Sequence, residues 1–106
     1  MNVLLHVPDK LRIENAFSNA KNILKGIGHP CRIQIVFNAN AVADVLDKVI
    51  PDELTGRQEI DLILCHNTMK ANNIPTDRIS NQFTIVPAAV IYIIEEQRNG
   101  AIYIRP

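Results

Sequence analysis

The chain has 106 residues, 47% of them hydrophobic, and its eleven basic residues balance eleven acidic ones. This length and apolar share fit one globular domain over residues 1–106, yet a chain so short leaves apolar surface poorly covered, which favours association between copies. Balanced charge without a basic stripe argues against phosphate-driven nucleic-acid binding, and no stretch approaches the ~18 apolar residues of a membrane span.

The opening "MNVLLHVPDK" has too short an apolar run for a signal peptide and lacks a basic leader. The expected compartment is the cytoplasm, where Cys31 and Cys65 stay reduced. "NVLLHV" reads as a buried strand ended by Pro8-Asp9. Ile13, Ala16, Phe17, Ala20, Ile23, Leu24 and Ile27 then follow the 3.6-residue period of an amphipathic helix. Asp9 is its expected N-cap, and Gly26 and Gly28 its expected stop.

A second strand is expected at "CRIQIVF", residues 31–37. Either Asn38 or Asn40 suits the cap of the next helix, whose buried stripe is Val42, Val45, Leu46 and Val49 and which Pro51 ends. "EIDLILC", residues 59–65, is a third strand; a short helix starts near Asn67 or Thr68, and Pro75 stops it. After a helical turn at 76–79, "FTIV" at 83–86 is a fourth strand.

The last twenty residues admit two readings. Asn99-Gly100 is a type I′ turn signal for a hairpin of 90–94 with 101–104. Alternatively Pro87 opens a helix over 87–98, Gly100 caps it, and a fifth strand follows. The helix is preferred, because the hairpin leaves four polar residues before Asn99 unassigned. Strict alternation of strand and helix then gives an α/β fold, a mainly parallel five-stranded sheet with helices on both faces.

In such a sheet ligands bind beyond the carboxyl ends of the strands. The loops there carry Pro8, Asp9, Asn38, Asn40, His66, Asn67 and Thr68, with Cys65 closing the third strand. Cys31 opens its strand and Cys65 closes its own. Five residues of strand span ~17 Å, against the ~7 Å a disulfide tolerates between Cα atoms, so no intrachain bridge is expected. Cys31 reads as core. Cys65 precedes a helix start, where free amides and the helix dipole lower a thiol pKa; the alternative is a buried strand-end cysteine.

His29-x-Cys31 and Cys65-His66 lack the spacing of a zinc site, and no metal or cofactor is expected. His6 reads as a satisfied core histidine, and His29 as structural. No Gly-rich phosphate loop follows the first strand, "HVPDKLR" lacks the Ser/Thr cradle of a flavodoxin, and the third strand ends in Cys65 where a receiver domain needs an aspartate.

Three stretches carry a resemblance: "NVLLHV" opening directly on a strand, "DLILCHNTMKANNI" with cysteine ending strand three, and "VPAAVIYIIEEQRNGAIYI" with Gln97 and Gly100 before the last strand. Over nearly its whole length the chain resembles the DsrE/DsrF-like family of small α/β proteins. The resemblance implies a three-layer α/β/α fold, a cytoplasmic homo-oligomer of dimer to hexamer size, and a persulfide-accepting role for Cys65 with a sulfur donor or acceptor protein as partner. It also supports the helical reading of 88–98, a segment apolar almost all round and so expected to be buried by a neighbouring subunit.

Two functions follow as expectations. One is sulfur relay through Cys65, with His66, Asn67, Thr68, Asn38 and Pro8 around the substrate and no cofactor. The other is a non-catalytic oligomeric binding module for a small anionic ligand or protein partner, with Cys65 as lining.

Overall fold

Strand and helix alternate without exception in the computed structural model, which describes residues 1–27 and 31–106. The order is β1 (Asn2–Val7), α1 (Ile13–Gly26), β2 (Arg32–Phe37), α2 (Ala41–Leu46), β3 (Ile60–Cys65), α3 (His66–Ala71), β4 (Phe83–Val86), α4 (Ala89–Arg98) and β5 (Ile102–Ile104). The strands form one sheet in the order β4-β3-β2-β1-β5, and every pair is parallel.

This order distributes the helices. From β1 to β4 the chain steps one way across the sheet, so right-handed crossovers place α1, α2 and α3 on one face. The return to β5, beyond β1, runs the opposite way and puts α4 on the other. Side chains alternate accordingly. Leu5, Ile35, Phe37 and Leu64 pack with Phe17, Val42 and Met69 on the three-helix face. Leu4, Val36, Ile63, Cys65 and Val86 pack with Ala89 and Ile93 of α4 on the other. The result is a three-layer α/β/α fold in which one face carries a single helix.

Several local expectations change. Asp9 caps a 3-10 turn, Lys10–Arg12, through its side chain to the Leu11 amide, and α1 proper starts only at Ile13. Gly26 lies inside α1 without a positive φ, and Ile27 is the C-cap; Gly28 and His29 lie outside the described residues. Neither Asn38 nor Asn40 caps α2 with its side chain, because both are bonded to the first loop and strand instead. α2 stops at Leu46, so Val49 is not part of its buried stripe and stands 91% exposed. α3 begins at His66 and ends at Ala71, four residues short of Pro75; Asn73, with φ of 56°, turns the chain first.

The C-terminal segment is the helix, not the hairpin. Asn99-Gly100 closes α4: Gly100 takes φ of 96°, its amide bonds Gln97 O at 3.1 Å, and the Ala101 amide bonds Glu96 O at 2.9 Å. That pair of bonds is a Schellman cap, which needs a left-handed residue where glycine has no Cβ to oppose it. α4 itself is not buried all round. Ala89 and Ile93 face the sheet, whereas Val90, Ile91 and Ile94 lie exposed.

Gln34, in the central strand, is fully buried. Its Nε2 donates to Asn2 Oδ1 at 3.0 Å and to Glu96 Oε1, and its Oε1 accepts from the Tyr92 hydroxyl. Beside it Arg32 bonds Asp61 at 2.8 Å. α4 is thus keyed to the sheet by polar groups at one end and by Cys65, Ala89 and Val86 at the other.

No helix among the described residues is long and apolar enough to cross a membrane.

Candidate functional site

The carboxyl ends of the strands gather most of the residues singled out from the sequence. Cys65 closes β3 on the α4 face and is 5% exposed. Cys31 is buried in the opposite core, one residue before β2, and both thiols are free. The cysteines are therefore separated by the sheet as well as along it, which accounts for the absence of a bridge between them.

Around Cys65 Sγ the local structure supplies hydrogen-bond donors. The Ala89 amide, at the start of α4, points at Sγ from 3.4 Å. The Thr68 hydroxyl and the amides of Thr68 and Asn67, in the first turn of α3, lie near enough to favour the thiolate as well. Burial pushes the thiol up, but these donors more than offset it and hold Cys65 below the ordinary thiol range. A thiolate here is solvated by the protein in place of water.

The loops that bring these donors together are tied to one another. The Ala39 amide donates to Thr68 Oγ1 at 3.3 Å, which leaves the hydroxyl proton for Sγ. Ala39 takes φ of 50°, a left-handed conformation that costs a non-glycine residue ~1–2 kcal/mol. The Asn67 amide also reaches Pro87 O at 3.1 Å, tying α3 to the loop before α4. The Lys10 amide bonds Asn40 Oδ1 at 2.7 Å and ties the first loop to the second.

A second polar row lies on the same face. His6 Nε2 donates to Asn38 Oδ1 at 3.0 Å, and His6 Nδ1 accepts from the Tyr103 hydroxyl at 2.6 Å. The Tyr103 ring packs against the imidazole with centroids 5.6 Å apart. Burial lowers the His6 pKa, the Asn38 bond raises it and Arg105 lowers it further; the net shift is downward, towards neutral imidazole. Asn38 follows Phe37, which pairs with Leu64, so it stands level with Cys65 on the neighbouring strand. Its amide bonds Val7 O at 3.3 Å beside Pro8.

The structure therefore unites Cys65, Thr68, Asn38 and the Asn67 amide, with Pro8 at the rim. His66 goes elsewhere. It lines a shallow cavity of about 320 Å³ with Thr76, Ile85, Val86 and Pro87, and among the described residues it makes no hydrogen bond with Cys65. Asp9 and Asn40 serve the loops. Sequence reasoning did not identify Ala89, whose contribution is a backbone amide from a helix at the far end of the chain, or Tyr103. No group of three or more His, Cys, Asp or Glu side chains gathers to hold a metal ion among the described residues.

No family model matches the chain, and no curated protein matches it. Among solved structures it is similar to a protein of unknown function from Methanobacterium thermoautotrophicum, with a TM-score of 0.76 and 26% identity over 99% of this chain and 98% of that one. The whole α/β architecture is shared with that archaeal protein.

Proposed function

We propose that the protein carries sulfane sulfur as a persulfide on Cys65. The observation that carries this reading is the Ala89 amide aimed at the buried Cys65 sulfur from 3.4 Å, with the first turn of α3 beside it favouring the thiolate. Such a set favours an anionic sulfur without any cofactor. The resemblance to DsrE/DsrF-like proteins in the stretch "DLILCHNTMKANNI", where Cys65 ends strand three, points the same way.

The step is a thiol exchange. The Cys65 thiolate attacks the outer sulfur of a donor persulfide, R–S–SH. A new S–S bond forms to Cys65, the donor S–S bond breaks, and R–S⁻ leaves, so no net oxidant or reductant is consumed. Because Cys65 is 5% exposed, the donor reaches it as a small molecule or on a narrow, extended group of a partner protein.

The same burial favours a second reading, a binding module in which Cys65 lines a pocket for a small anion. Thiol titration separates the two: an inert Cys65 at or above the unperturbed ~8.5 supports the module. In either case we propose a homo-oligomer, on the strength of the apolar residues α4 leaves exposed.

The direct test is mass spectrometry of the protein after exposure to a persulfide donor. Cys65 should gain the mass of one sulfur atom, and Cys65→Ala should not. A gain confined to Cys31, or labile sulfur retained by Cys65→Ala, contradicts the proposal.

A further inference from the structure

Tyr103, His6 and Asn38 form a hydrogen-bonded row that climbs diagonally across three adjacent strands of one face. Tyr103 pairs with Leu4 in β1, His6 lies two residues further along β1, and Asn38 lies just past the end of β2, level with Cys65. Two bonds, at 2.6 and 3.0 Å, join the row. The Tyr103 hydroxyl donates to Nδ1, which selects the tautomer protonated on Nε2. That Nε2–H in turn holds Asn38 Oδ1 towards β1. The two heteroatoms of a carboxamide diverge, so with Oδ1 held towards β1 the two N–H donors of Asn38 Nδ2 are turned away from it, and the other neighbour of β2 is β3, which ends in Cys65.

The donors that lower the Cys65 pKa come from Thr68, Ala89 and Asn67. Asn38 is not among them. We propose that the Asn38 carboxamide is a binding group for the second sulfur of the Cys65 persulfide, and that His6 and Tyr103 are positioning residues that fix its orientation. The inference rests on the persulfide reading of Cys65. Its chemical content is a donor for a terminal, anionic sulfur: the thiolate is held by backbone amides and a hydroxyl, the outer sulfur by a side-chain amide.

The arrangement makes the orientation of Asn38 depend on a proton. Without the Tyr103 hydroxyl, neutral imidazole is free to carry its proton on Nδ1. Nε2 then accepts, the carboxamide turns over, and its oxygen faces the anionic sulfur. Imidazolium carries protons on both nitrogens and restores the Nε2–H bond. Arg105 and Tyr103 are the charged and titratable groups that act on His6 from the β5 side.

The experiment measures two rates in the full-length protein and its variants: persulfide formation on Cys65 from a small persulfide donor, and alkylation of the free thiol by iodoacetamide. Asn38→Leu should lower persulfide formation about tenfold, the effect of one hydrogen bond to a charged group, while alkylation changes less than about twofold. Asn38→Asp keeps an acceptor for His6, and so the local fold, but should lower persulfide formation at least as much. Tyr103→Phe should show a smaller defect that shrinks as pH falls through the His6 titration. Asn38 variants that form persulfide at the wild-type rate overturn this inference alone. So does an equal loss in both rates for Asn38→Leu, or a Tyr103→Phe defect that ignores pH. A wild-type Cys65 that never gains sulfur overturns the persulfide reading itself and this inference with it.

Discussion

The Ala89 amide donates to Cys65 Sγ at 3.4 Å, joining the first residue of α4 to the last residue of β3. The contact places a backbone donor from one layer on the thiol of another, so the acidity of the Cys65 thiol is tied to α4 being docked. Its consequences can be measured.

The thiol should titrate below the ordinary thiol value of ~8.5 when iodoacetamide alkylation is followed against pH. Thr68→Val removes the hydroxyl that favours the thiolate and should raise that midpoint, slowing alkylation at neutral pH about tenfold. Thr68→Ser keeps the hydroxyl and should recover most of the rate. An unchanged midpoint in Thr68→Val would remove the hydroxyl from the account of Cys65.

His6 links stability to pH. Its folded pKa lies below the unfolded value of 6.5, so the fold favours neutral imidazole. At pH values between the two, the unfolded chain binds more protons than the folded one, and stability falls as pH falls. The contribution is therefore complete above 6.5 and is lost on going down through the folded pKa. Urea unfolding from about pH 7.5 to about pH 5 should show a steeper loss for the wild type than for His6→Gln. Equal slopes would mean that His6 is not the group responsible.

Gln34 and Tyr92 test the polar key between α4 and the sheet. Burial, with the nearby Glu96 carboxylate, raises the Tyr92 pKa, so the phenol stays a neutral donor. Tyr92→Phe leaves Gln34 Oε1 without that donor in a fully buried position and should cost ~1–3 kcal/mol in urea unfolding with the m-value unchanged. A loss within ~0.5 kcal/mol would mean that the site is solvated or repacks.

Val90, Ile91 and Ile94 are 62%, 53% and 51% exposed on a helix whose other side packs on the sheet. Sedimentation should show an oligomer for the wild type, and Ile91→Glu with Ile94→Glu should return it to a folded monomer. A wild-type chain that stays monomeric at high concentration contradicts the proposed self-association.

Much of the architecture was legible because periodicity and turn chemistry are local. Unbroken apolar runs marked buried parallel strands, the 3.6-residue spacing marked α1, and residues 83–86 were placed as the strand they form. The Asn99-Gly100 pair carried a real ambiguity, since the same left-handed glycine serves a hairpin turn and a helix cap. Only the bonds from Gly100 and Ala101 back into α4 decide it. The position of Cys65 at the carboxyl edge of the sheet was equally legible, because strand direction and chain order imply it.

What surrounds Cys65 was legible only in part: the first turn of α3 was, the contributions from distant segments were not. Its amide from Ala89 comes from 24 residues away, the hydroxyl that links Tyr103 to His6 comes from 97, and Gln34 is made tolerable in the core by Tyr92 and Glu96. These contacts arise where a parallel sheet brings distant strand ends side by side and lays α4 across them. His66, adjacent to Cys65 in the chain, illustrates the converse: it lines a shallow cavity with Thr76 and Pro87 and makes no hydrogen bond with Cys65 among the described residues. Sequence alone determined the order of the elements and the edge at which chemistry is possible. The tertiary structure decided which donors meet the sulfur, because a hydrogen bond is set by direction in space and not by separation along the chain.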